Sequence, residues 1–195
     1  MIAPLPDSLG IAFKEWDRVC SALAVGRQSL ILRKGGIEEG PSGFEPEHPF
    51  FWLYPTVVHQ AEQGLKPGIA PACGLATPGT VDIQSFAAVE WVEHIDRLET
   101  LLRLDPFHVW TEETVTKRFF YKKPGVWLLG VRTFNLPEPV AIAITPEQLG
   151  CKTWVPLESA LPTARLKPAI PDLIFRESMS RIRDMLSSPG RCETF

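Results

Sequence analysis

The sequence predicts an α+β fold: a mostly antiparallel sheet, with a curl toward a barrel, flanked by an N-terminal and a C-terminal helix. Three observations lead there. Apolar runs with strand character crowd the middle of the chain, while apolar residues at clear helical spacing sit near its two ends. Proline cuts the rest into short elements: there are 19 in 195 residues, about twice the ordinary share. Strands in the middle and helices at the ends argue against a parallel α/β sheet.

Taken in order, Phe13, Trp16, Cys20 and Leu23 recur at helical spacing between a capping Asp7/Ser8 and a stop at Gly26, and so predict a first amphipathic helix. Residues 29–33 alternate into a strand ending at Gly35-Gly36, and beyond an acidic, Gly/Pro-rich loop Phe50 to Thr56 forms a second. Residues 61–80 hold Gly64, Pro67, Gly68, Pro71, Gly74, Pro78 and Gly79, a density that neither a helix nor a central strand tolerates, so they form a long loop. Val81, Ile83, Ala87, Val89 and Trp91 predict a long strand, and Leu98, Leu101 and Leu102 a short helix ending before Pro106. Thr111 with Glu112 and Glu113 behind it marks the start of another short helix, whose end Lys117 and Arg118 suit by dipole complementarity.

Lys123-Pro124-Gly125 fits a type II turn that delivers the chain into a strand over residues 126–134. Residues 152–157 form the last strand, and residues 158–170 connect it to the C-terminal helix. There Pro171 suits the first turn, and Phe175, Met179, Ile182 and Leu186 repeat before Pro189-Gly190. A single domain over residues 1–195 is what this length predicts. Leu30-Ile-Leu-Arg33 followed by Trp52-Leu-Tyr-Pro55 is echoed by Leu129-Gly-Val-Arg132 followed by Trp154-Val-Pro156. That is either a repeated strand pair or the general likeness of apolar strands.

With 45% hydrophobic and 22% charged residues the chain is not disordered, collagenous or low-complexity, and a net charge of −3 gives no global attraction to polyanions. Any polyanion site must be a local patch. The four cysteines lie far apart with no C-x-x-C pair, which excludes a zinc ribbon or a thioredoxin-like motif and fits a reduced, cytoplasmic chain. No apolar run approaches the roughly 20 residues that cross a bilayer, and Met1 to Asp7 lacks the basic start of a signal peptide. No membrane association is expected.

Two stretches have the residue types that bind phosphate. Arg33-Lys34-Gly35-Gly36 sets two cations at a strand end beside glycines able to form an anion-binding concavity; the alternative is a plain strand-to-turn junction with solvated cations. Thr116-Lys117-Arg118-Phe119-Phe120-Tyr121-Lys122-Lys123 interleaves four cations with three aromatic rings, a composition suited to phosphate contacts and base stacking; the alternative is inward-packed rings and lysines that guard a sheet edge. Arg176, Arg181 and Arg183 on the last helix are interspersed with Asp172, Glu177 and Asp184 and read as a solvated face. Neither a Walker A pattern nor G-x-G-x-x-G is present.

A catalytic reading rests on Glu47, His48, His59 and His108. They supply acid, base and metal-ligand chemistry, but no H-x-x-x-H or H-E-x-x-H spacing puts two of them on one helical face, and hydrogen bonding at element ends is the alternative role. No metal site and no cofactor is predicted; a divalent metal is the one cofactor that this residue set leaves open. G-x-S-x-G is absent, and Cys151 beside Lys152 reads better as a small buried cysteine than as an activated thiol.

Leu32-Arg-Lys-Gly-Gly-Ile37, Glu47-His48, Phe51 to Tyr54, Pro55-Thr56 and His59-Gln60, followed by His108-Val-Trp110-Thr, Arg118-Phe119 and Gly150-Cys-Lys-Thr-Trp154, resemble in order the domain of unknown function 1802 family. The resemblance spans about Phe13 to about Leu157 and names relatives, not an activity. Some members of that family are joined to a restriction-endonuclease-like domain, so it implies a restriction or DNA-defence context; no such extra domain is expected here. Nucleases of the restriction type hold magnesium with an acid and a D/E-x-K triplet, and no lysine in this chain has an acid two residues before it. The expectation leans away from an enzyme. It is a cytoplasmic accessory or recognition module for phosphate-bearing ligands, nucleic acid among them, acting through Arg33, Lys34, Gly35, Gly36, Lys117, Arg118, Tyr121, Lys122 and Lys123. The rivals are a hydrolase-like enzyme built on the His/Glu set, and a protein-interaction domain presenting the 61–80 loop to a protein partner. Oligomeric state is not legible.

Overall fold

The computed structural model describes residues 4–34, 48–57, 64–69, 78–150 and 152–187. Its elements are β1 (Ser8–Trp16), α1 (Asp17–Ala24), β2 (Leu30–Arg33), β3 (Phe50–Thr56), β4 (Thr80–Ile95), α2 (Leu98–Leu102), α3 (Glu112–Phe120), β5 (Val126–Ala143), β6 (Trp154–Pro162), β7 (Lys167–Pro168) and α4 (Asp172–Ser187). The strands form one seven-stranded sheet in the order β2-β5-β4-β3-β1-β6, with β7 also on β5. Every pairing is antiparallel except β1 with β3. This is the α+β, mostly antiparallel architecture that the sequence predicts. No helix among the described residues is long and apolar enough to cross a membrane.

The sheet curls but does not close into a barrel. Its outer strands approach where Arg33, at the end of β2, donates from Nη2 to Thr153 Oγ1 just before β6. A side-chain bond, not a ladder, spans the gap. Proline explains part of this, because Pro156 and Pro162 remove N–H donors from β6 and suit it to an edge.

The expected N-terminal helix begins later than predicted. Phe13 and Trp16 stand on β1, and only Cys20 and Leu23 of the proposed stripe lie on α1. The spacing misleads because β1 is buried on both faces: Ala12 packs into one apolar cluster with Trp52 and Val155, and Phe13 into the other with Leu23 and Phe51. A strand covered on both sides loses the apolar/polar alternation that would betray it. In β3, Phe51 and Leu53 join the larger cluster and Trp52 and Tyr54 the smaller.

β5 runs well past Phe134, where Pro137 and Pro139 argue for a stop. Ile83 pairs with Val140 and Ser85 with Asn135, so residues 136–139 bulge opposite Gln84 alone and the ladder then resumes. The 158–170 connection is likewise shorter than expected, since β6 continues to Pro162 and β7 takes Lys167–Pro168. The echoed segments are no repeated strand pair, because β2 and β3 are not neighbours in the sheet and neither are β5 and β6. The C-terminal helix α4 forms as predicted and buries Phe175, Met179 and Ile182.

Candidate functional site

The two cationic segments meet. At the end of β2 the Lys34 ammonium donates to the carbonyls of Phe119 (2.8 Å), Gly125 (2.6 Å) and Lys123, which engages its three N–H donors on the C-terminal end of α3 and the turn after it. One residue before Phe119, Arg118 Nη1 donates to Leu32 O at 3.1 Å. Burial, and then repulsion by Lys123, lower the pKa of Lys34. Lys34 therefore works as a clamp: a cation satisfies carbonyls that a helix end leaves open.

Beneath the clamp is an arginine and aromatic cluster. The Arg118 guanidinium lies 4.0 Å over the Trp16 ring and 5.3 Å from that of Trp110, and Arg33 lies 4.7 Å over Phe13. Phe13 in turn meets the edge of Trp154 at 4.9 Å. Buried Glu15 sits among them, with Oε1 accepting from the Trp16 N–H at 2.8 Å and Oε2 without a hydrogen-bond partner among the described residues. Desolvation holds the Arg118 pKa down to about 10; the Glu15 carboxylate opposes the shift and Arg33 adds to it. Arg118 is still a cation at neutral pH, but half-buried and committed to the fold.

What faces solvent is the end of α3. Tyr121 is 59% exposed and Phe120 55%, unusual for large rings, and Lys117, Lys122 and Lys123 are exposed beside them. Thr111 caps the helix by accepting from the Thr114 N–H at 3.4 Å, as the sequence predicts. Lys117 pairs with Glu113 one turn back at 2.5 Å, an exposed ion pair of little energetic weight. Lys122 is the one non-glycine residue with positive φ among the described residues, at 61°, and Lys123 N–H bonds across it to Tyr121 O at 2.8 Å. Such a tight turn is strained for a residue with a Cβ. Gly125 takes φ +111°, a backbone conformation that favours glycine.

The sequence stretch that looks uniform is therefore divided. Arg33, Lys34 and Arg118 point into the protein's own structure, while Lys117, Tyr121, Lys122 and Lys123 are presented outward with Phe120. Gly35 and Gly36 lie outside the described residues. Sequence reasoning does not single out Glu15, and it names Trp16 only in a helical stripe and Trp110 only in a family motif; the one available signal is an acid beside an aromatic residue in β1.

The His/Glu set is divided too. Glu47 and His59 lie outside the described residues, as does Cys151. His48 packs edge-on against Trp154 at 5.1 Å, whereas His108 is buried against Trp110 at 5.3 Å. Burial, and secondarily Lys66, push the His108 pKa down to about 4, so its ring is neutral at pH 7. Among the described residues no three His, Cys, Asp or Glu side chains converge as metal ligands. Cys20 is buried with its thiol pKa raised by desolvation and then by Glu15 and Asp17, the opposite of an activated nucleophile. Of the 61–80 loop, the described part is tethered: Gly64 O accepts from the Thr111 N–H at 3.0 Å, and Lys66 N–H donates to Val109 O at 2.8 Å.

A sequence profile of the domain of unknown function (DUF1802) matches residues 12–181. The chain belongs to that family. DUF1802 thus covers all of the site just described, from Phe13 on β1 to the lysines after α3. No curated protein matches the chain. Among solved structures, this DUF1802 protein is similar to a serine-to-alanine variant of the ASCH protein of Zymomonas mobilis. The two are 15% identical with a TM-score of 0.42, over 93% of this chain and 99% of that one. The unsubstituted ASCH protein of Zymomonas mobilis is 14% identical with a TM-score of 0.42, over 88% of this chain and 93% of that one.

Proposed function

We propose that this DUF1802 protein is a recognition module for single-stranded nucleic acid, with the end of α3 as its contact surface. Phosphates fall to Lys117, Lys122 and Lys123, and unstacked bases to the exposed parts of Phe120, which meets Phe119 at 5.1 Å, and of Tyr121, whose ring has Lys122 5.4 Å from its centroid. The observation that carries the reading is the clamp: Lys34 engages all three of its donors to hold a turn that presents aromatic rings and lysines outward. Arg33 and Arg118 support the surface from below.

The test is fluorescence anisotropy at low salt with a labelled single-stranded oligonucleotide and with the duplex of the same sequence. The full chain is expected to bind the single strand in preference. Tyr121→Ala is expected to weaken binding about tenfold, since stacking of one base on an aromatic ring is worth about 1–3 kcal/mol. Absence of binding to either form at low salt would overturn the proposal.

A further inference from the structure

A cleft of about 740 Å³ opens between α4 and the β4–β5 ladder, with Pro168 of β7 at its rim, and none of its lining residues belongs to the surface at the end of α3. Three arginines line it, Arg132 of β5 and Arg176 and Arg183 of α4, against two carboxylates, Glu90 and Asp172. Trp91, Phe134, Phe175 and Met179 supply apolar walls. Arg132 is only 8% exposed. Its guanidinium is held 4.9 Å from the Phe175 ring and 5.4 Å from that of Phe134, and its Nη2 pairs with Asp172, itself largely exposed.

A guanidinium carries five N–H donors in a rigid fork. Among the described residues Asp172 is the sole acceptor for Arg132, and no nitrogen of Arg132 is sealed from solvent without a partner. The donors that Asp172 does not use therefore reach solvent, on a residue that lines the cleft. A buried guanidinium with donors beyond those its one carboxylate partner takes, in a cleft where arginines outnumber carboxylates three to two, is arranged for a further oxyanion. Arg183 lies 4.9 Å over the Trp91 ring while its Nη1 stands 3.7 Å from the Glu93 carboxylate, so it edges the apolar wall as a paired cation and Arg176 is the arginine beside Arg132.

From this we infer a second ligand site: the cleft binds a small organic anion in which a phosphate or carboxylate is joined to a planar, unsaturated body. The oxyanion takes the free donors of Arg132 with Arg176 beside it, and the planar body lies along Trp91, Phe134 and Phe175. The volume suits a ligand of nucleotide size. Sequence patterning hides this site, because on the helix alone Arg176 and Arg183 alternate with acids; the sheet supplies the buried third arginine.

Isothermal titration of the full chain with AMP, benzoate and inorganic phosphate tests it. AMP or benzoate is expected to bind saturably and at least about tenfold more tightly than inorganic phosphate, which lacks the planar body. The tighter of the two organic probes identifies phosphate or carboxylate as the preferred oxyanion. The double variant Arg176→Ala, Arg183→Ala, at exposed positions, and separately Arg132→Lys, which keeps the charge but loses the fork, are each expected to weaken binding about tenfold. Absence of saturable binding by both organic probes, equal affinity for inorganic phosphate, or affinity unchanged in both variants would overturn the site. A triple Lys117→Ala, Lys122→Ala, Lys123→Ala variant is expected to bind the organic probes normally. If that variant alone loses them, the ligand sits on α3, and the cleft proposal fails while the nucleic-acid reading stands.

Discussion

His108 is a buried imidazole packed 5.3 Å from the Trp110 ring. Its folded pKa of about 4 lies below the ordinary 6.5, so the unfolded chain takes up the proton first. The neutral ring's contribution to stability is therefore complete above pH 6.5 and is lost as pH falls toward 4. The full shift corresponds to roughly 3 kcal/mol. Urea unfolding of the wild type is expected to show that loss across this window, and His108→Phe should flatten it; an unaltered slope in the variant would show that other groups are responsible. Lys122 gives the opposite kind of test. Its positive φ costs a residue with a Cβ about 1 kcal/mol more than glycine. Lys122→Gly is expected to raise unfolding free energy by up to that amount while weakening oligonucleotide binding. A variant that is more stable yet binds as tightly as the wild type would show that Lys122 makes no phosphate contact.

At the scale of elements, α3 is legible at both ends: Thr111, Glu112 and Glu113 announce its start and Lys117 and Arg118 its end, all within the helix and its cap. Its anchor was not legible, because Lys34 is far away in the chain and a lysine near glycines looks the same whether it meets solvent or carbonyls. Lys34→Met should leave the carbonyls of Phe119, Lys123 and Gly125 without their ammonium and destabilise the protein by about 1–3 kcal/mol. Amide exchange is expected to speed up most at the end of α3, and loss of protection spread evenly over the sheet would contradict the clamp. In the β4–β5 ladder Gly130 is required by packing, since a Cβ there would stand 2.2 Å from the Trp91 ring. Gly130→Ala is expected to cost about 1–3 kcal/mol by overpacking, measured as a lowered urea midpoint.

For the whole molecule, net charge and local charge pull in different directions. A chain of charge −3 has no long-range attraction for nucleic acid, so affinity must come from the few cations that α3 presents. Three lysines on three phosphates of a single strand predict a slope of about −2 in log K against log salt. The triple lysine variant should show a slope near zero; a slope as steep as the wild type's would place the phosphates elsewhere.

The sequence by itself determined what local chemistry decides: the α+β class, the strands from Phe50 and Val126, the caps of α3, the amphipathic α4 and the family. These follow from propensity, spacing and turn residues within a few positions of one another. It misplaced β1, because burial on both faces erases alternation, and it ended β5 early, because a proline bulge looks like a stop. Only the tertiary structure decided which cations are committed inward and which face solvent. Arg33, Lys34 and Arg118 find their partners across the sheet, and Arg132 meets Arg176 and Arg183 only once α4 packs on β4 and β5. The partner of a charged side chain is fixed by topology, and residues distant in the chain carry no local mark of who their neighbours will be.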